Sequence, residues 1–424
     1  MSTHTVTKTT SWFERLGSSF KGILFGIVLF IAGSILLWWN EGNFVKTQVA
    51  LKEAQGVTQE LENINTVDTS RSGELVHATG TATTEDILED PIFGISVNAI
   101  RFSRDVEYYQ WIEDSHTEKK QKLGGGEEEI ITYSYRKGWL NHPVDSSRFH
   151  DSSNHNTVLA SNVEGFSVQA KNVTFGAYRL PDFLVSSISG SESLSVQLSE
   201  EVLAKLNQQI APPGSLPIPP PTPAPPVQGM LQFDENAPIG SMDGNPPQWL
   251  GMVHVNGSTV YLGDNPASPS IGDVRVSFKQ TKPSNEVSIV AKLVGYTFER
   301  YTAANGKTVG MLVMGTKSAE NMYESAHASN AMMTWLLRVG GVFLVCMGLG
   351  MIIAPLSVLA SVVPLVGKIV GFGTGVFSTL FGLSWSLMII ALAWLFYRPL
   401  IGIILLAAAA GLIVLLFTRK RSHG

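Results

Sequence analysis

Residues 22–39 read GILFGIVLFIAGSILLWW, an uncharged apolar run bounded by Lys21 on one side and Asn40-Glu41 on the other. As a helix this run rises about 27 Å, enough to cross the hydrocarbon core of a bilayer. Basic residues ahead of an apolar stretch also fit a signal peptide. Its core is longer than a usual h-region, however, and Trp38-Trp39 stands where a small-x-small cleavage site belongs. Paired tryptophans suit the membrane interface, where the ring half buries and its N–H stays wet. The run is therefore read as an uncleaved transmembrane helix 1.

The same composition returns at the other end of the chain. Trp335–Ala354, ending at Pro355, reads as transmembrane helix 2, Ile369–Phe396 as helix 3 and Leu400–Phe417 as helix 4. Helix 3 is longer than a perpendicular crossing needs, which implies tilt or kinking. Residues 355–368 are expected as a cytoplasmic or interfacial loop, and 418–424 as a basic tail. From Ala331 to Gly424 there is no Asp or Glu, whereas residues 43–330 carry 33 acidic and 21 basic side chains. The expected fold is thus a membrane protein with four transmembrane α-helices. A large, mainly-β (α+β) extramembrane domain, residues 40–334, is inserted between the first and second spans. Such an acidic domain argues against nucleic acid as a partner; the lipid bilayer is the certain one.

Orientation follows from the basic residues. Lys8, Arg15, Lys21, Lys368, Arg419, Lys420 and Arg421 lie on one side, against Lys46, Arg338 and Arg398 on the other. The positive-inside bias then predicts cytoplasmic termini, with residues 1–21 as a cytoplasmic tail and the large domain lumenal or periplasmic. The single cysteine, Cys346, falls in helix 2, so the domain has no disulfide and must hold together by its own core.

Within that domain, Phe44–Ile64 has helical apolar spacing and is expected to extend the first span outward, and Ser318–Met333 has few breakers and leads into the second span; the two form either a stalk or two unrelated surface helices. Between them Glu74–Thr81, Val97–Trp111, Ile130–Tyr135, Asp273–Lys279 and Val287–Phe298 read as strands. Asn256-Gly257 carries the signal of a type I′ hairpin, and Asn305-Gly306 separates two further strands. Residues 211–226 contain nine prolines and favour extended polyproline II, read as a spacer or surface insertion. Lys122–Glu129, with three consecutive glycines, is expected to be a flexible loop.

Chemistry-bearing patterns are thin. His142, His150 and His155, with Asp145 and Asp151, are the densest group of potential metal ligands, but their spacing matches no closed zinc site and no His-Glu-x-x-His helix. No nucleophile elbow, phosphate-cradling loop or dinucleotide fingerprint occurs. We therefore assign no catalytic, cofactor or metal residues. Helix-packing candidates are clearer: Gly22 and Gly26, and the tandem Gly367, Gly371 and Gly375, have the small-xxx-small spacing that lets helices approach closely. No acidic residue lies inside a span, which counts against a coupled transporter.

Several motifs occur in a family-like order. They are Asn40-Glu41-Gly42 and Gly73-Glu74-Leu75-Val76-His77, then the stretch from Arg104 to Trp111 that includes Glu107. Tyr133-Ser134-Tyr135 with Trp139 and the stretch from Gly272 to Phe278 with Asp273 and Arg275 follow. The last is Trp394-Leu395-Phe396-Tyr397-Arg398-Pro399-Leu400. Carried on these residues, the chain resembles the LUMA, or transmembrane protein 43, family over roughly residues 10–420. Residues 200–248 stand as an insertion relative to animal members. The resemblance implies four spans, a lumenal or periplasmic domain, and a non-enzymatic scaffold that self-associates and organises other membrane proteins. Emerin- and lamin-type partners, and an endoplasmic-reticulum or inner-nuclear-membrane location, follow only for a eukaryotic chain; a prokaryotic one would sit in the bacterial inner membrane. A channel or channel regulator, built on the hydroxyl-bearing residues of helix 3, is the alternative expectation. A metal-dependent hydrolase built on the histidine stretch is a second.

Overall fold

A computed structural model describes residues 3–157, 163–210 and 252–399. Helix 4 and the proline-rich stretch lie outside these described residues. Five α-helices occur among the described residues: α1 (Trp12–Val57), α2 (Asp182–Val185), α3 (Glu200–Ile210), α4 (Ala319–Ala360) and α5 (Pro364–Tyr397). Three of them, α1, α4 and α5, are long and apolar enough to cross a membrane.

Helix α1 starts where its sequence supplies a capping box. Ser11 Oγ accepts from the Glu14 amide at 3.3 Å, and the Glu14 carboxylate accepts from the Ser11 amide at 2.9 Å. Its 46 residues rise about 69 Å, more than twice the hydrocarbon thickness. The apolar run and the expected stalk helix are therefore one continuous rod. Ser318 caps α4 by a single bond, its Oγ accepting from the Asn321 amide at 3.3 Å. That helix of 42 residues likewise joins the second stalk helix to the second apolar run.

Several boundaries differ from the sequence reading. Helix α1 ends at Val57 rather than near Ile64, because Thr58 turns extended (φ −65°, ψ 130°) and Gln59-Glu60 form a short parallel pairing with Val76-His77. Helix α4 passes through Pro355 to Ala360, and α5 begins at Pro364, which leaves only residues 361–363 between them. Most of the expected 355–368 loop is therefore helical. Pro355 is tolerated here because it is buried, so that packing offsets the intrahelical hydrogen bond its missing N–H forfeits. Within the expected N-terminal tail, Thr3–Thr10 is a strand and α1 already begins at Trp12.

The chain divides into two compact units. In the first (residues 1–4, 81–115 and 133–286), strand Val274–Thr281 pairs antiparallel with the first part of Arg101–Gln121, Val274 opposite Tyr108 and Thr281 opposite Arg101. Strand Thr259–Leu262 lies against the other side of Val274–Thr281 and pairs in turn with Val253–Asn256. Their inward residues, Phe102, Val106, Val260, Val274, Val276 and Phe278, form the core with Phe93. The Val253–Leu262 hairpin forms, with one correction to its turn. Asn256 pairs with Thr259, so the turn residues are Gly257 (φ 58°) and Ser258, and no non-glycine residue among those described has positive φ. That is the sign pattern of a type II′ turn, in which only the first turn residue needs φ > 0.

The second unit (residues 5–80, 116–132 and 287–424) contains the long helices. Helices α1 and α4 meet through glycine. A Cβ added at Gly26 would lie 2.7 Å from the Gly348 carbonyl oxygen, and one at Gly33 2.9 Å from that of Gly341. Beyond the apolar stretch, α1 buries Ala50, Leu51 and Ala54 against Leu75, Val290, Val309, Met322 and Tyr323. The apolar stretches themselves stay outward-facing: Leu24, Phe25, Val28, Trp335, Val339, Phe343 and Phe372 are all exposed, as a lipid-facing layer requires.

Lys122–Glu129 is an ordered hairpin end rather than a free loop, with Gly124 and Gly125 at φ 90° and 81° and Lys122 N–H bonded to the Gly126 carbonyl at 2.8 Å. It touches the Trp12 end of the helices. Arg15 donates to the Gly125 carbonyl at 2.6 Å and pairs with Glu127 at 3.1 Å, while the Gly124 amide reaches the Val362 carbonyl at 3.1 Å.

Candidate functional site

At the opposite end of the apolar layer, the first and last motifs of the sequence come together. Helix α1 carries Asn40-Glu41-Gly42 and α5 carries Trp394 and Tyr397, each just past the apolar turns of its helix. Glu41 is fully buried. Its carboxylate accepts from Arg338 Nε at 2.6 Å and from an Arg338 terminal nitrogen at 2.8 Å, a bidentate pair, and from Trp394 Nε1 at 2.8 Å. A charge this deep is tolerable only because three donors surround it. Asn40 Nδ2 donates to the Thr334 carbonyl of α4 at 3.0 Å.

Gly42 is required by what faces it. A Cβ there would fall 2.5 Å from the Tyr397 ring. That ring also packs near Trp38, with centroids 6.0 Å apart. Arg338 lies over the rings of Trp335 and Trp394, at 4.8 and 5.8 Å. Arg398 lies over Phe44 at 5.0 Å and Trp394 at 5.9 Å, and Pro399 is exposed beside it. One aromatic ring, Trp394, thus sits against two guanidinium groups. Thr334 was not singled out from sequence, and Arg338 was read only as a charge beside the second span; no local pattern joins either one to Glu41.

The other motif residues form separate, structural contacts in the first unit. Arg104 pairs with the buried Asp90 at 2.7 Å and lies 4.7 Å over Phe166. Glu107 pairs with Arg275 at 2.7 Å, and Arg275 stacks on Trp139 at 4.5 Å. Trp111 accepts a cation–π contact from Lys137 at 4.8 Å. Asp273 accepts from the Ser270 amide at 2.7 Å and from the Tyr261 hydroxyl. Burial holds the Tyr261 phenol well above the ordinary tyrosine range, and the Asp273 carboxylate adds to it. These contacts tie strands and loops together, and each donor already has its acceptor.

The glycine candidates divide. Gly26 sits at a backbone contact with α4 and Gly22 lies loosely near Met351. Gly367 packs against Ser361 in the turn between α4 and α5. Among the described residues Gly371 and Gly375 have little against them, with nothing nearer than 3.9 Å at the first and nothing within 4 Å at the second. They border a groove of about 710 Å³ between α4 and α5, lined also by Phe343, Cys346, Gly350 and Ser378.

The histidines do not converge. His150 stacks on Tyr133 at 3.8 Å, His142 bonds Asn141 and His155 bonds Ser146. No group of three His, Cys, Asp or Glu side chains able to hold a metal occurs among the described residues. Four hydroxyls of α5, those of Thr374, Ser378, Thr379 and Ser384, donate to carbonyls of their own helix three or four residues earlier. The buried Ser386 hydroxyl has no partner among the described residues, and one such group makes no row of free donors along a path.

Apolar helices continuous with a mainly-β extramembrane domain, and locked by a buried ion pair at one end, define a multi-span integral membrane protein. The family model for Transmembrane protein 43 matches residues 108–399, and the chain belongs to that family. It is similar to human Transmembrane protein 43, 27% identical over 99% of this chain and 95% of the relative. The mouse protein is 28% identical over 91% and 87% of the two chains. The Drosophila melanogaster homolog is 26% identical over 94% of each. No solved structure matches.

Proposed function

We propose that this protein is a non-enzymatic membrane scaffold that self-associates and organises other membrane proteins through its spans. The observation that carries this reading is the open small-residue face of α5. Gly26, Gly33, Gly341 and Gly348 are consumed in packing α1 on α4, whereas Gly371 and Gly375 leave a groove that a further helix can enter closely. We further propose cytoplasmic termini, from the excess of Lys and Arg at that end of the spans. Native mass spectrometry of the protein, gently extracted with its companions, tests the scaffold. A fixed multimer or a stoichiometric membrane partner, reduced in Gly371→Leu/Gly375→Leu, is expected. A lone monomer, or assembly indifferent to both substitutions, counts against it.

A further inference from the structure

The Glu41 cluster contains two arginines and one carboxylate. Arg338 takes both carboxylate oxygens, and the third donor, Trp394, fills the same group. Arg398, half-buried over Phe44, has no oxygen acceptor for its guanidinium among the described residues. The rest of the C-terminal chain offers no side-chain counter-ion either, because no Asp or Glu follows Glu324. A partly desolvated, uncompensated cation is costly, and Arg presents a planar fork suited to phosphate oxygens. Its level is informative. Trp38, Trp39, Trp335 and Trp394 gather at this end of the apolar helices, as tryptophans do at the headgroup boundary.

We propose that Arg398, braced on the Phe44 and Trp394 rings, binds the phosphate of a membrane phospholipid headgroup. The lipid thereby completes the charge balance that Glu41 leaves open. This rests on the chain being a membrane protein, and goes beyond the scaffold reading. The two rings, 5.0 and 5.9 Å from the guanidinium carbon, restrict the side chain, so the fork is presented at less entropy cost than a free arginine would bear. Anionic headgroups such as phosphatidylglycerol are favoured over zwitterionic ones, because they bring no cation of their own.

The test uses the full-length protein in detergent with added phosphatidylglycerol, and native mass spectrometry counts retained lipids. Wild type should hold phosphatidylglycerol roughly tenfold more tightly than Arg398→Gln, the loss of a charge-assisted contact. Arg398→Lys should be intermediate, since it keeps the charge and loses the fork. Phe44→Leu, which keeps the arginine, should also weaken retention, and serves where Arg398→Gln does not fold. Equal retention by wild type and the folded variants overturns the proposal. So does displacement of the lipid by millimolar inorganic phosphate, which would assign the site to a free anion. Flotation with phosphatidylcholine vesicles separates the premises: failure of wild type to float removes the membrane reading, whereas floating variants with unchanged lipid retention remove only this one.

Discussion

At the scale of single residues, the buried carboxylate Glu41 and the glycine beside it set the constraints. Removing one partner of a buried ion pair strands the other, so Glu41→Gln is expected to lower stability by about 3–5 kcal/mol. Replacing both, in Glu41→Leu/Arg338→Leu, should recover most of that loss. Thermal unfolding in detergent reads the difference, and a double variant as unstable as the single one refutes this account of the pair. Gly42→Ala meets the Tyr397 ring at a distance no Cβ tolerates. It should destabilise, and Tyr397→Leu in the same chain should relieve it; a simple sum of the two losses would contradict the steric cause. Away from the spans, Tyr323 is fully buried against Thr58, with 2.7 Å between the hydroxyls, and burial pushes its phenol up to about 12. The sign follows directly. The folded state keeps the proton longer than the unfolded state, so stability is intact below the ordinary tyrosine value and falls as pH rises from there toward about 12. Spectrophotometric titration near 295 nm should show late-ionising phenols, Tyr261 among them, whose amplitude falls by one tyrosine in Tyr323→Phe.

At the scale of elements, the hairpin ending at Gly124–Gly126 poses the sharpest question. Its end meets Trp12, Arg15 and Val362, at the end of the helices opposite Glu41. Its strands carry Glu113, Asp114, Glu118, Lys119, Lys120 and Lys122. Such side chains and an open strand edge are excluded from hydrocarbon. A bilayer surrounding all three helices and the Arg15–Glu127 contact therefore exclude each other. Because the apolar faces of α1, α4 and α5 need lipid, the contact is the one expected to give way in the membrane. Cysteines placed at Arg15 and Glu127, with Cys346 replaced by Ser, should cross-link in detergent and fail to do so in intact membranes. Cross-linking in sealed vesicles would instead place the hairpin end and the N-terminus on one side, and would overturn the charge-based orientation.

Across the whole molecule, two groups of motif residues with different tasks emerge. Arg104, Glu107, Asp273 and Arg275 lie in the β-rich unit and hold its strands and loops together. Asn40, Glu41, Gly42, Trp394, Tyr397 and Arg398 gather where the spans leave the bilayer and lock the helices to one another. Assembly between copies has to use what this locking leaves exposed. Leu at Gly371 and Gly375 should leave the monomer's thermal unfolding nearly unchanged, since both positions have little against them among the described residues. The same substitution at Gly26 and Gly348 should unfold the α1–α4 pair.

Patterns that repeat along the chain were legible without any structure. The apolar runs, the acidic domain between them, the alternating strands and the place of the Val253–Leu262 hairpin, though not its turn type, follow from local hydropathy and turn residues, and these are properties of neighbours in sequence. Helix limits were legible only in part: apolar periodicity located α1 and α4 and joined each stalk helix to its span, but it carried α1 on to Ile64 and stopped the second span at Pro355. Pro355 looked like an end because sequence shows the lost hydrogen bond and hides the packing that offsets it. Convergence was not legible at all. Glu41 and Arg338 are separated by 297 positions, and nothing near either one names the other. The sequence by itself determined that the chain enters a membrane and carries a mainly-β domain, because burial of apolar surface is set by composition. Only the tertiary structure decided which charges are paired and which arginine is left over, because pairing depends on distances that the folded backbone alone creates.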